Sequence, residues 1–370
     1  MTWAARSKPP PLWKRIAFGL VFLCSGAAFG DEALWKMYLE TGTEAYQDKR
    51  YETAETMFLA ARKEAEGFGS SDVRLASTLF QLALVYYSEK KDEQAEPNYR
   101  RAVEIWDKAK APPSIERANA LSYLGILRSR KGGQQDAQRF YERALDMRER
   151  LHGPAASELI IPLTNLASSL EDQDRYQEAE TDYRRALEIA EKRFKPEAQT
   201  PVLRSLANNL SAQKRYDEAA PLFTRVRAIA EKAYGPADFK TAIALYGEAN
   251  NLYLLDRSAE AEPLCIRALE IFQKVHGPKH VNVADTLSLL AYNYDKLGRV
   301  KDAEQYYKKS IAIYEEINEL QDPLLANVLE GYAGFLRKAR RPAEAKSFQA
   351  RADAIRAKQR LNGSRNSSRP

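Results

Sequence analysis

The amino-acid sequence predicts an all-α fold: a solenoid of eight antiparallel helical hairpins. Three observations carry the prediction. Ala54, Ala95, Ala137, Ala179, Ala219, Ala261, Ala303 and Ala345 recur at spacings of 40 to 42 residues. Twelve residues before each stands another small residue: Gly42, Ala83, Gly125, Ala167, Ala207, Ala249, Ala291 and Ala333. Prolines after glycine or lysine, at Gly153-Pro154, Lys195-Pro196, Gly235-Pro236 and Gly277-Pro278, punctuate four successive units.

Each unit reads as two helices. In the first, a large residue (Tyr38, Leu79, Leu121, Leu163, Leu203, Leu245, Leu287 or Leu329) lies four before the small one. In the second, Phe58, Tyr99, Tyr141, Tyr183, Phe223, Cys265, Tyr307 or Gln349 lies four after the key alanine, and a further mostly small residue lies seven after it. Offsets of four and seven share one helical face. The small residues let the two backbones approach, and the aromatic fills the space beside them. One hairpin cannot bury such a face alone, so neighbours must stack. Glycine and proline between units end each second helix. The single spacing of 40 residues places a two-residue deletion near 197–201 and predicts a local change of pitch there.

The pattern resembles the tetratricopeptide repeat in eight consecutive units from about Glu32 to Arg356. The 42-residue period resembles the kinesin-light-chain-type variant, best matched at 163–170 (LTNLASSL), 175–189 (RYQEAETDYRRALEI) and 275–280 (VHGPKH). The resemblance implies a right-handed superhelix whose first helices line a concave groove, at positions one and five after the large residue. In this chain the first set is Leu39, Phe80, Ser122, Thr164, Arg204, Tyr246, Ser288 and Glu330. The second is Thr43, Leu84, Ile126, Ser168, Asn208, Asn250, Tyr292 and Gly334. Arg204, Asn208, Tyr246, Asn250 and Tyr292 are therefore candidate groove residues, with Asn209, Asn251 and Asn293 as a second asparagine ladder beside them. Asparagine offers donor and acceptor to a peptide backbone. Equally, the outer ladder can bond helix ends across the repeat interface. Some members of the family hold a peptide's terminal carboxylate. Arg204 and Asn208 match the first pair of that arrangement, but Gly247, Asp285 and Leu289 stand where it needs asparagine and cations.

The ends differ from the body. The chain of 370 residues has a formal charge of +6, but its first thirty residues carry four cations and the stretch beyond Ala354 five, with no acid in either. Residues 31–353 come to −3, without the basic footprint that nucleic acid requires. Residues 1–30 read as a signal peptide with Ala28-Phe29-Gly30 before the cut, or as an uncleaved anchor, so an exported location is expected and the membrane enters only through that leader. Cys24 offers a lipid-attachment alternative that bulky Leu23 disfavours. Residues 357–370 read as a disordered basic tail after a solenoid of 31–356. Without Cys24, Cys265 has no internal disulfide partner and reads as a buried, inert thiol.

Two other patterns have structural readings. Arg50, Lys91, Arg175, Arg215, Arg257, Arg299 and Arg341 each lie four before a key alanine, broken by Gly133. They suit the negative end of the preceding helix better than a stripe for an anionic partner. His276 and His280 flank Gly277-Pro278, off any helix, and no carboxylate or cysteine cluster completes a metal shell. Gly132-Gly133 reads as a widened turn. No nucleophile, phosphate-loop or cofactor motif is present. The sequence thus points to a non-catalytic scaffold holding a peptide or helix of a partner protein, with no cofactor. The alternative is a subunit of a larger exported assembly, or a homo-oligomer covering an uncapped end near Ala352 and Ile355.

Overall fold

The computed structural model describes residues 31–317 and 323–367, with side chains as far as Lys358. The leader, with Cys24, and residues 368–370 lie outside the described residues. Among those described there are sixteen α-helices and no strand. They fall into two compact units divided between Leu127 and Arg128. The first unit holds α1 (Glu32–Gln47), α2 (Tyr51–Gly67), α3 (Val73–Ser88), α4 (Asp92–Lys108) and most of α5 (Ile115–Arg130). The second holds α6 (Gln134–His152), α7 (Ile160–Glu171), α8 (Tyr176–Arg193), α9 (Pro196–Ala212), α10 (Tyr216–Tyr234), α11 (Phe239–Leu254), α12 (Ser258–His276), α13 (Val281–Lys296), α14 (Val300–Glu316), α15 (Pro323–Lys338) and α16 (Pro342–Ser367). From α1 to α4 in the first unit, and from α6 to α16 in the second, each helix packs on the next in sequence. No described helix is long and apolar enough to cross a membrane.

The small residues act as the sequence implies. Seven of the eight key alanines are fully buried, and Ala345 is 1% exposed. At Gly42 a methyl group would stand 2.7 Å from the Phe58 ring, so the closest approach of α1 to α2 admits no side chain. Within each hairpin the chain turns through a left-handed residue: Lys49, Lys90, Gly132, Asp174, Lys214, Asp256, Gly298 and Arg340. Lys49 N–H bonds to Tyr46 O and Arg50 N–H to Ala45 O, closing the helix end on itself. Gly132-Gly133 belongs to a turn of the same three-residue length as most others, so it is not widened.

The basic ladder opens every second helix except α6 and is occupied. Lys91 reaches Glu55 at 3.7 Å, Arg299 reaches Glu262 at 2.7 Å and Arg341 reaches Glu304 at 2.8 Å. Arg215 likewise pairs with Glu180, and Arg175 donates to Gln138. Each partner follows the key alanine of the preceding unit, so the ladder fastens neighbours together. Arg257 is the exception in the second unit. Ala220 stands where its glutamate should be, and it pairs only with Glu260 on its own helix.

The short spacing has a different location from the one expected. Residues 197–201 are helical, and the deletion falls in the connection before them. The connections after α6, α10 and α12 use a left-handed glycine (Gly153, Gly235, Gly277). Between α8 and α9 only Phe194 and Lys195 remain, both extended, and Pro196 opens α9 directly. With no left-handed residue, lysine serves in place of glycine, and proline's fixed φ suits the first helical position. Pro201 cannot donate to Glu197 O, and the Thr200 hydroxyl does so instead at 2.8 Å.

The α10/α11 interface departs from the pattern. Position three after the large residue is leucine in most units (Leu82, Leu124, Leu166, Leu206, Leu290) but Glu248 in α11. Eight after the key alanine five units carry Val103, Leu145, Leu187, Leu269 or Ile311, whereas α10 carries Arg227. The two departures meet as an ion pair. Glu248 is 8% exposed, bonded to Arg227 and, at 2.8 Å, to the Thr224 hydroxyl. The buried apolar clusters of the last three hairpins begin at Ala242 and include no side chain of α9 or α10.

Two expectations about the C-terminus change. Ala352 and Ile355 are buried in α16, 0% and 7% exposed, so they offer no uncapped surface for a second copy. The backbone of α16 is helical to Ser367, through most of the segment expected to be disordered. Ala357, Lys358, Gln359, Arg360 and Leu361 are all favourable helix residues.

Candidate functional site

The two asparagine ladders, one residue apart, have opposite fates. Asn209, Asn251 and Asn293 are at most 1% exposed. Asn209 Nδ2 donates to Tyr176 O at 3.2 Å and to Glu171 Oε1 at 2.8 Å, and Asn251 Nδ2 donates to Tyr216 O at 3.1 Å. Each thus bonds the start of the second helix in the unit before. Asn293 Nδ2 instead turns back to Leu289 O at 2.7 Å. These three are structural joints and do not line a groove. One residue is a rotation of about 100° on a helix, which carries Asn208 and Asn250 out of the interface. Asn208 is exposed and Asn250 half-buried.

Arg204 and Asn208 on α9 therefore share a face, as do Tyr246 and Asn250 on α11. Tyr246 is partly buried against the apolar clusters that begin at Ala242, and burial pushes its phenol well above the usual range. Tyr292 on α13 is half committed. Its hydroxyl donates to Asn327 O at 3.0 Å, and its ring lies 5.7 Å from Tyr253, in a space kept open by Gly331. Phe80 and Ser288, expected on the same inner face, are buried.

Sequence reasoning missed one rung of this surface. Three residues before Thr164, Arg204 and Tyr246 lie Ile161, Pro201 and Ile243, on the same helical face. Ile161 is 69% exposed, Pro201 is exposed and Ile243 half-buried. The signal was present as a third offset of the same period. The first helices of the fourth, fifth and sixth hairpins thus carry an apolar rung, a mixed rung (Thr164, Arg204, Tyr246) and an amide-rich rung (Ser168, Asn208, Asn250).

A cavity of about 350 Å³ opens on this face between α9, α10 and α11. Pro201, Val226, Ala230, Ile243 and Ala244 form its apolar wall, with Arg204, Lys240, Glu197, Thr200 and Tyr234 around it. Among the described residues Arg204 has no polar partner. Lys240 Nζ has no carboxylate and lies 4.1 Å from the Tyr234 ring centroid. The two cations stand against one carboxylate, that of Glu197.

The remaining candidates are structural. Cys265 is fully buried, and desolvation pushes its thiol up to about 12, so it holds its proton at neutral pH. The His276 and His280 rings stack 4.1 Å apart, and His280 Nδ1 accepts from Asn282 N–H as a helix cap. Neither ring is posed as half of a chelate, and no group of three possible ligands occurs among the described residues.

A tetratricopeptide repeat model matches residues 42–108, 74–150, 158–232, 198–264 and 240–316, well over half of the chain. The chain belongs to the tetratricopeptide repeat family. No curated protein matches it. Solved structures share the fold at low identity. The apo form of RapI aligns with a TM-score of 0.62 at 15% identity, covering 89% of this chain and 99% of that one. Aspartyl phosphate phosphatase F from Bacillus subtilis aligns at 0.60 and 14%, covering 93% and 87%. A kinesin-light-chain-like repeat protein of Podospora anserina aligns at 0.50 and 18%, covering 55% of this chain and 97% of its own. For this tetratricopeptide repeat protein these likenesses establish the helical-repeat architecture.

Proposed function

We propose that this protein is a non-catalytic scaffold that holds an extended segment of a partner protein across α7, α9 and α11. One observation carries the reading: Asn208 and Asn250 face outward without partners among the described residues, while the adjacent Asn209 and Asn251 are consumed inside the fold. Free amides next to an exposed apolar rung supply backbone recognition and side-chain contact together. A Rap protein, a tetratricopeptide-type neighbour in fold, was solved with a competence and sporulation factor. Affinity would arise from several shallow contacts.

The reading is tested by photo-crosslinking from a reactive side chain at position 250 in cells, with position 217 on exposed Asp217 as control. Capture of one discrete protein from 250, abolished by Asn208→Ala, supports it. Equal capture from both positions would count against it.

A further inference from the structure

We infer that the α9/α10/α11 cavity selects an acidic side chain flanked by an aliphatic one within the bound segment; this rests on the peptide-holding reading above. The occupant follows from the walls. Pro201, Val226, Ile243 and Ala244 offer an apolar surface that fits an aliphatic side chain. Arg204 and Lys240 stand on neighbouring first helices at the same cavity, and neither has a carboxylate partner among the described residues.

The cations that open the second helices of this unit are paired: Arg175, Arg215, Arg257, Arg299 and Arg341 all have glutamate or aspartate within 3 Å. Arg204 and Lys240, on first helices, stand without a carboxylate partner at one apolar cavity. Glu197 offsets one of them, which leaves room for one carboxylate. A cationic segment is disfavoured, and that includes this chain's own basic C-terminal stretch.

The carboxylate belongs to a side chain rather than to a chain end. Ile161 on α7 and Asn250 farther along α11 both lie outside the cavity lining, so the segment has surface to contact beyond it. Successive first helices about 10 Å apart are spanned by about three extended residues.

The test uses the full-length chain and fluorescein-labelled ten-residue peptides with amidated C-termini, read by anisotropy. One peptide carries Asp-Leu pairs at three-residue spacing in a Gly/Ser background. A second carries Asn-Leu and a third Lys-Leu. A fourth is the Asn-Leu peptide with a free C-terminus. The Asp-Leu peptide should bind at least ten-fold tighter than the other three. Arg204→Gln and Lys240→Gln should each weaken it about five- to ten-fold, and raising salt from 50 to 500 mM should do likewise. Arg204→Lys should restore part of the loss. Both side chains lie outside the core, and circular dichroism checks that the variants keep their helix content.

Equal binding of the Asp-Leu and Asn-Leu peptides, lost with Asn208→Ala but indifferent to Arg204→Gln, would overturn the acidic selection and leave the peptide-holding reading standing. Preference for the free C-terminus would overturn the side-chain assignment. Failure of every peptide to bind would overturn both readings.

Discussion

The ion pair between α10 and α11 makes a prediction that separates burial from attraction. The Glu248 side chain is 11% exposed and that of Arg227 26% exposed. Arg227→Leu leaves the carboxylate desolvated with only the Thr224 hydroxyl, at a cost of ~3 kcal/mol. Glu248→Leu is milder. It leaves a guanidinium that is still a quarter exposed and still pairs with Glu231 at 3.2 Å, for ~1 kcal/mol. Independent effects would sum to ~4 kcal/mol. The double variant, however, rebuilds the leucine interface of the other hairpins, and its stability should fall within ~1 kcal/mol of the parent protein. The coupling is then ~3 kcal/mol, far above the scatter of non-interacting sites. Urea unfolding, with the slope compared across variants, supplies the free energies. Hydrogen exchange of α10 and α11 places them locally, because repeat arrays need not unfold in one step. A double variant as unstable as the sum of the singles would refute the reasoning.

Three further outcomes are expected. Burial pushes the Asp182 carboxyl up to about 6, with Glu142, Glu178 and Glu149 adding to the rise and Arg185 opposing it. Its folded value lies above its unfolded one, so its contribution favours folding at low pH and is lost as pH rises through 6. Asp182→Asn should therefore stabilise by up to ~2 kcal/mol at pH 8 and by little at pH 4, measured as a pH series of urea midpoints. Asn209→Ala and Asn251→Ala should each cost ~1–3 kcal/mol in thermal or urea unfolding, while Asn208→Ala and Asn250→Ala stay within ~0.5 kcal/mol. Lys214 turns the chain with φ at 61°, where two other turns use glycine, so Lys214→Gly should raise stability by ~0.5–1 kcal/mol. A lower melting temperature for Lys214→Gly would show that its aliphatic stem matters more than its backbone.

The repeat was legible because close helix packing needs small residues at fixed offsets, and Ala54 through Ala345 keep them in register. What escaped lies between repeats. The partners of Lys91, Arg299 and Arg341 stand 36 or 37 residues upstream, a separation set by how hairpins stack and not by either helix alone. Neighbouring Asn208 and Asn209 are chemically identical, and only the rotation of α9 against α8 decides which is buried. The inner face was read at two offsets of its period, which found Arg204 and Tyr246 and passed over Ile161, Pro201 and Ile243. The deletion was placed downstream of its true position because Pro196, which ends a helix elsewhere, here begins one. Lys240 carried no signal, since its partner-free state depends on what surrounds it.

The missing fastening at Arg257, the charged pair in place of leucines and the restart of the apolar clusters at Ala242 all fall at one junction. In a nearest-neighbour array each link can open on its own, and this one is held by charge where the others use leucine. On warming, the hairpins as far as α10 and those from α11 onward need not melt together. Arg204 stands on one bank of that junction and Lys240 on the other. Whatever spans them acts as a splint, and its presence would register as a single, later melting step in place of two.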